Sequence, residues 1–72
     1  MSAERFIIDK MDCYSPIEWR IIDTKYGIDS NPQILRKRKA RQMIIELLQS
    51  EDKRDMYGYI FGRCEEFYKE FY

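Results

Sequence analysis

The fold class that this sequence predicts depends on residues 15–27, which read SPIEWRIIDTKYG. The segment SPIE matches a capping box, in which Ser15 would cap the first turn of a helix and Glu18 would reach back to the Ser15 amide. Proline is tolerated at the first helical position, and glycine commonly follows the last one. Between these two signals, apolar residues recur at helical spacing. The stretch therefore predicts a helix over residues 16–26.

Two further helices are predicted C-terminal to this stretch. The break IDSNP (residues 28–32) is followed by an amphipathic pattern that predicts a helix over residues 32–49. After Ser50, large apolar side chains again recur at helical spacing, which predicts a third helix over residues 51–70. Residues 1–14 are open to two interpretations, a short helix or an extended arm, and the helix is favoured.

The sequence as a whole predicts one all-α domain, a small bundle of three to four helices that spans residues 1–72. A chain of 72 residues buries a small core, which is marginal unless a disulfide, a metal or a partner subunit adds to it. A homodimer is therefore one expectation. The predicted core takes apolar side chains from all three helices: Ile17, Ile21, Ile44, Leu47, Leu48, Met56, Ile60, Cys64, Phe67 and Phe71.

The residue types on which enzymes and metal sites depend are scarce. The chain contains no histidine, and this removes the commonest general base and a common zinc ligand. The sequence also has no glycine-rich phosphate loop and no nucleophile with a neighbouring base. We therefore predict a non-enzymatic protein with no catalytic residues, no metal and no other cofactor. No apolar run of about 20 residues is present, which argues against a membrane span.

Composition gives the only indication of compartment and source. The N-terminal segment MSAERFIIDKMD has no apolar run long enough for a secretory signal. Cys13 and Cys64 form no C-x-x-C pair, so we expect a cytoplasmic protein with reduced thiols. The chain has no valine and is rich in isoleucine, lysine, tyrosine and aspartate. Such a bias fits an A+T-rich genome, and a phage origin is one interpretation.

The clearest functional feature is the stretch ILRKRKARQMIIELLQ, residues 34–49. It carries five cations and one carboxylate, Glu46, although the whole chain has a formal net charge of zero. Helical geometry places Lys37 and Arg41 toward the apolar side of the predicted helix and Arg36 near its edge, whereas Arg38 and Lys39 point elsewhere. We call residues 36–41 the basic block. Its candidate nucleic-acid-binding residues are Arg36, Lys37, Arg38, Lys39 and Arg41.

Three interpretations of the basic block remain open. Clustered cations match the phosphate backbone of a nucleic acid, which they contact without reading its sequence. They also match, less closely, an acidic surface on a larger protein. In the third interpretation, they form a solvated face whose charges pair within the fold, with Glu46, Asp52 or Glu18. The order of helix, glycine-containing turn and basic helix also resembles a helix-turn-helix, although Asp23 occupies a position where that motif needs a small residue.

A second candidate surface lies on the predicted C-terminal helix. The segment GYIFG, residues 58–62, contains the G-x-x-x-G pattern that allows two helices to pack closely. Both glycines and Tyr59 project away from the apolar face of that helix. An alternative function follows, in which the chain is an interaction module or inhibitor that docks on a larger protein through its aromatic C-terminal helix. The candidate interface residues are Gly58, Tyr59 and Gly62.

Overall fold

The computed structural model describes residues 4–62 and 64–70, which form one antiparallel sheet and three helices. The strands are β1 (Phe6–Met11), β2 (Glu18–Asp23) and β3 (Ile28–Asp29), in the sheet order β1-β2-β3. The helices that follow are α1 (Lys37–Gln49), α2 (Lys53–Phe61) and α3 (Glu65–Lys69). The prediction of an all-α bundle is therefore wrong, because the N-terminal half of the chain forms a sheet.

Residues 16–26 form a strand and a turn where the sequence predicts a helix. The spacing of Ile17 and Ile21 fits one face of a helix, but an even spacing also fits one face of a strand. Within β2, burial follows the strand period: Ile21 and Asp23, two residues apart, are fully buried, whereas Ile22 between them is only half-buried. Pairing decides between the two structures, because β2 is paired with β1 along its whole length. The helix-turn-helix resemblance is wrong for the same reason.

Two other N-terminal predictions, for the capping-box segment and for residues 1–14, also change because residues 18–23 form a strand. The capping-box segment SPIE spans the end of the β1–β2 loop and the first residue of β2, and the Ser15–Pro16 peptide bond is cis. Of the two interpretations of residues 1–14, the extended one holds over residues 6–11, which form β1. Residues 1–3 lie outside the part of the chain that the structure describes.

Both C-terminal helices are shorter than the sequence predicts. Helix α1 begins at Lys37, because Ile34 is buried in extended backbone and its carbonyl accepts a hydrogen bond from the Trp19 amide at 2.7 Å. The helix predicted over residues 51–70 is divided into α2 and α3. Helix α2 ends at Phe61, and its C-cap residue, Gly62, has a φ of +80°.

We expect Gly62→Ala to lower the free energy of unfolding by about 2 kcal/mol, because its backbone region is one that L-residues rarely adopt. A Cβ atom there would also lie 2.5 Å from the Asn31 side-chain amide. Gly27→Ala is the matched control. Its φ is +67° but nothing lies within 4 Å of the added Cβ, so we expect a loss of about 1 kcal/mol. Urea unfolding of both variants checks the prediction, and a larger loss for Gly27→Ala would contradict it.

The core brings together side chains from the sheet and from all three helices. Five of the predicted core residues are buried: Ile21, Leu47, Ile60, Cys64 and Phe67. Ile44 and Met56 are half-buried against them. The predictions for Leu48 and Ile17 are wrong, since these side chains are 57% and 42% exposed, and Phe71 lies outside the described residues. The remaining buried apolar residues are Ile34, Ala40, Met43, Tyr57 and Phe61.

A carboxylate is also buried in this core. Asp23 is fully buried and accepts two hydrogen bonds from the Arg5 guanidinium, at 3.0 and 3.1 Å. It accepts two more, from the Tyr57 hydroxyl at 2.5 Å and from the Lys25 amide at 3.1 Å. Burial disfavours the charged carboxylate, but the bonds from Arg5 and Tyr57 outweigh it and hold the pKa of Asp23 below its ordinary value. Burial, together with the hydrogen bond to Asp23, raises the pKa of Tyr57.

This buried carboxylate predicts a loss of stability in acid. A carboxyl group whose pKa is lower in the folded chain than the unfolded value of about 3.9 stabilises the fold above that pH. Its contribution disappears as the pH falls through the folded pKa. Urea unfolding should therefore show wild-type stability falling below about pH 4. The difference in stability between the wild type and Asp23→Asn should shrink over the same range, and a difference independent of pH would contradict the assignment.

Candidate nucleic-acid interface

The basic block lies at the N-terminal end of α1. Arg36 is the N-cap residue, residues 37–39 form the first turn, and Arg41 lies one turn further on. All five basic side chains are exposed. The buried residues of α1 form a separate stripe one turn apart: Ala40, Met43 and Leu47. The cations therefore surround the start of the helix in water, and the stripe fixes the helix to the core.

None of the five cations forms an ion pair with a carboxylate among residues 4–62 and 64–70. The carboxylates that the sequence offers as partners are engaged elsewhere. Glu18 pairs with Arg20 at 2.9 Å. Glu46 accepts a hydrogen bond from a glutamine on its own helix, and Asp52 caps α2. The interpretation of the basic block as an internally paired face therefore has no support in this geometry.

The backbone at this end of α1 adds to the positive potential. Arg36 makes no side-chain cap hydrogen bond, and the first turn contains no acidic residue. In α2, by contrast, the Asp52 side chain accepts a hydrogen bond from the Asp55 amide. The free amides of a helix N-terminus carry roughly half an elementary positive charge, so cations placed there destabilise the helix slightly. Local stability therefore does not explain the basic block. Residues that destabilise their own helix are typical of a functional surface.

Two of the five cations also border a groove. Lys37 and Arg41 belong to one wall of a groove of about 870 Å³, and residues 4–8 form the other wall. The Lys37 ammonium lies 5.7 Å from the centroid of the Trp19 ring, within the range of a cation–π interaction. The other three cations are outside the groove. This position agrees with the helical projection, which places Lys37 and Arg41 nearest the apolar side chains.

The sequence does not predict this groove, because it predicts no strand that could form the second wall. A signal is nevertheless present. Five apolar residues fall within positions 43–48, which is more than one buried stripe of a helix requires. Two of them, Ile45 and Leu48, are more than half exposed.

The second candidate surface is occupied in part by the chain itself. A Cβ atom at Gly58 would lie 3.3 Å from the Tyr68 hydroxyl, so α3 covers this glycine. Gly62 is the C-cap residue of α2. Tyr59 is 63% exposed. Each glycine therefore has a packing role within the chain. A partner interface at Gly58, Tyr59 and Gly62 stays a prediction.

Comparison with known proteins assigns no function to this surface. No protein-family model matches the chain, and neither the curated proteins nor the solved structures give a significant match. Within the described part of the chain, no group of three or more acidic or cysteine side chains could hold a metal ion. Among the same residues, no helix has the length and apolar character needed to cross a membrane.

Proposed function

We propose that the protein binds the phosphate backbone of nucleic acid through the basic block, as a non-enzymatic accessory or regulatory protein. One observation carries this proposal: five exposed cations gather at one helix end, and none of them pairs with a described carboxylate. The uncapped amides at the same end add positive charge. A polyanion is the ligand that such a surface favours, because neutralising phosphates releases their condensed counterions.

The position of the cations determines the kind of binding. They surround the first turns of α1 and do not lie along one face that could enter a groove of duplex DNA. They therefore contact phosphates, and binding has little sequence preference. The remainder of the chain carries 13 carboxylates against 8 cations, so its charge repels phosphates and confines contact to the basic block.

Arg38→Ala with Lys39→Ala is the variant that tests this surface. Both side chains are exposed and outside the groove. We expect the slope of log affinity against log salt concentration to flatten by about 2, because two phosphate contacts are lost. Stability should stay the same or rise slightly, since cations are disfavoured at a helix N-terminus. Fluorescence anisotropy with labelled single- and double-stranded DNA and RNA gives the slopes.

The matched control is Lys10→Ala with Lys69→Ala. It removes two exposed cations outside the basic block, so the net charge changes equally. It should leave the slope within about 0.5 of the wild-type value if contacts, and not net charge, determine binding. Equal flattening in both double variants would contradict the proposed surface.

A cytoplasmic location is part of the same proposal. Cys13 is exposed, Cys64 is buried, and both are free thiols, which is typical of a reducing compartment. Docking on a larger protein through the aromatic C-terminal helix has less support. The Tyr57 and Phe67 rings of α2 and α3 stack in the core with centroids 3.7 Å apart.

A further inference from the structure

Strand β1 is an edge of the sheet, and one side of its backbone has no partner strand among the described residues. The backbone of Ile21 in β2 faces β3, because its amide and carbonyl bond to Ser30 at 3.0 and 2.8 Å. The amides and carbonyls of its two neighbours, Arg20 and Ile22, therefore point toward β1. In an antiparallel pair, two opposite residues either both point their amides and carbonyls at each other or both point them away. Given the register, the residues of β1 whose amides and carbonyls point outward are Phe6, Ile8 and Lys10.

Helix α1 lies beside this free edge and completes a groove with it. One side of α1 lines the groove over three turns, with two cations followed by three apolar residues: Lys37, Arg41, Ile44, Ile45 and Leu48. Ile45 is 52% exposed and Leu48 is 57% exposed, and Ile7 on the opposite wall is 38% exposed. Exposed large apolar side chains are few in the described part of the chain, and three of the seven border this groove.

We propose that the groove binds an extended segment of another protein, which adds a fourth strand to the sheet along β1. The outward amides and carbonyls of β1 would supply the main-chain hydrogen bonds, as in other cases of strand addition. The alternate side chains of the added strand would cover the apolar residues of α1. Lys37 and Arg41, which have no ion-pair partner among the described residues, select a carboxylate at one end of the segment.

The dimensions of the groove set the length of this segment. Lys37 and Leu48 are about 16 Å apart along the axis of α1, at a rise of about 1.5 Å per residue. A strand rises about 3.3 Å per residue, so roughly five residues match this distance. The expected pattern is an acidic residue at one end and two apolar residues, each separated from the next by one residue whose side chain points away from α1.

Charge disfavours a second copy of this chain as the occupant. In two copies paired antiparallel through β1, outward-facing residues must oppose outward-facing residues, which places both α1 helices on the same side of the joined sheet. Lys37 and Arg41 of both copies would then share one face, and Glu4 is the one carboxylate among the residues that line each groove. An acidic segment from a different protein neutralises these charges.

Two of the groove cations also belong to the basic block, so the peptide and nucleic acid would compete for Lys37 and Arg41. The inference does not depend on nucleic-acid binding, because the apolar wall and the free strand edge take no part in it. The two activities can be tested separately with neutral substitutions on the apolar wall.

The experiment is a selection from a displayed library of random 12-residue peptides, with the wild-type protein as bait. We expect enriched peptides to share the acidic and alternating apolar pattern. Their dissociation constants, measured by anisotropy, should rise at least tenfold for Ile45→Ser with Leu48→Ser. Ile17→Ser, which changes another exposed apolar residue outside the groove, is the matched control and should have no effect. Nucleic-acid affinity should be unchanged in both variants.

N-methylation of the selected peptide tests the strand addition itself. Methyl groups on the amides that face β1 should abolish binding, whereas methyl groups on the intervening amides should not. The inference is overturned if no peptide is enriched over an unrelated bait, or if binding is insensitive to the groove substitutions or to the position of N-methylation. A dimer in sedimentation that Leu48→Ser dissociates would also overturn it, because a second copy would then occupy the groove.

Discussion

Replacing Asp23 with alanine should lower the free energy of unfolding by about 3 kcal/mol, the lower end of the range for removing one partner of a buried ion pair. The substitution leaves the Tyr57 hydroxyl buried without its acceptor, and it leaves the Arg5 guanidinium without its bidentate partner. Arg5 is partly exposed and can regain water, which keeps the loss from being larger. A chain of this length has a total stability of roughly 4–11 kcal/mol, so this loss removes a large part of it.

Urea unfolding followed by circular dichroism measures this loss. Asp9→Ala is the matched control, because Asp9 is an exposed carboxylate on the neighbouring strand and its removal should change stability by less than about 0.5 kcal/mol. Tyr57→Phe removes one donor and keeps the ring, so we expect an intermediate loss of about 1–1.5 kcal/mol. Similar stabilities for Asp23→Ala and Asp9→Ala would contradict the role of Asp23 as the polar centre of the core.

Replacing all five cations of the basic block with glutamine should weaken nucleic-acid binding at least 100-fold, because every phosphate contact in the proposal is removed. Glutamine is nearly as good a helix former as lysine and arginine. The five side chains are exposed and form no described ion pair, so the fold should be retained. Anisotropy at 50 mM salt measures the affinity, and circular dichroism monitors the helix content.

The interpretation of that variant depends on its stability. Unchanged or slightly increased stability together with lost binding supports the proposal, since the cations then serve binding and not folding. A marked loss of stability would show that the basic block is needed for the fold. Retained binding would place the nucleic-acid surface elsewhere on the chain.

The sequence predicts the C-terminal half of the fold better than the N-terminal half, for physical reasons. The buried stripe of α1 and the apolar spacing of α2 are local patterns, which a helix satisfies without reference to the rest of the chain. Strand β2 depends on pairing with β1, which lies outside its own sequence window. The spacing of Ile17 and Ile21 fits either a helix or a strand, and only the presence of β1 selects the strand.

The burial of Asp23 could not be predicted from local apolar patterns. Asp23 interrupts a row of apolar positions, and the carboxylate is tolerated there because Arg5 and Tyr57 approach it from segments far away in sequence. The basic block, by contrast, is visible in the sequence, because exposed charge requires no partner. Its position at the uncapped end of α1 is visible only in the structure, since the sequence predicts that this helix begins at residue 32.

The salt dependence of binding by the wild-type protein tests the nucleic-acid proposal most directly. Anisotropy titrations with a labelled duplex between 50 and 200 mM salt should give a log–log slope of about −4, which corresponds to a loss of affinity of roughly 250-fold over this range. That result would mean that four or five cations engage phosphates together. A slope near zero, or no binding below about 100 µM in 50 mM salt, would contradict the assignment of the basic block to a nucleic-acid backbone.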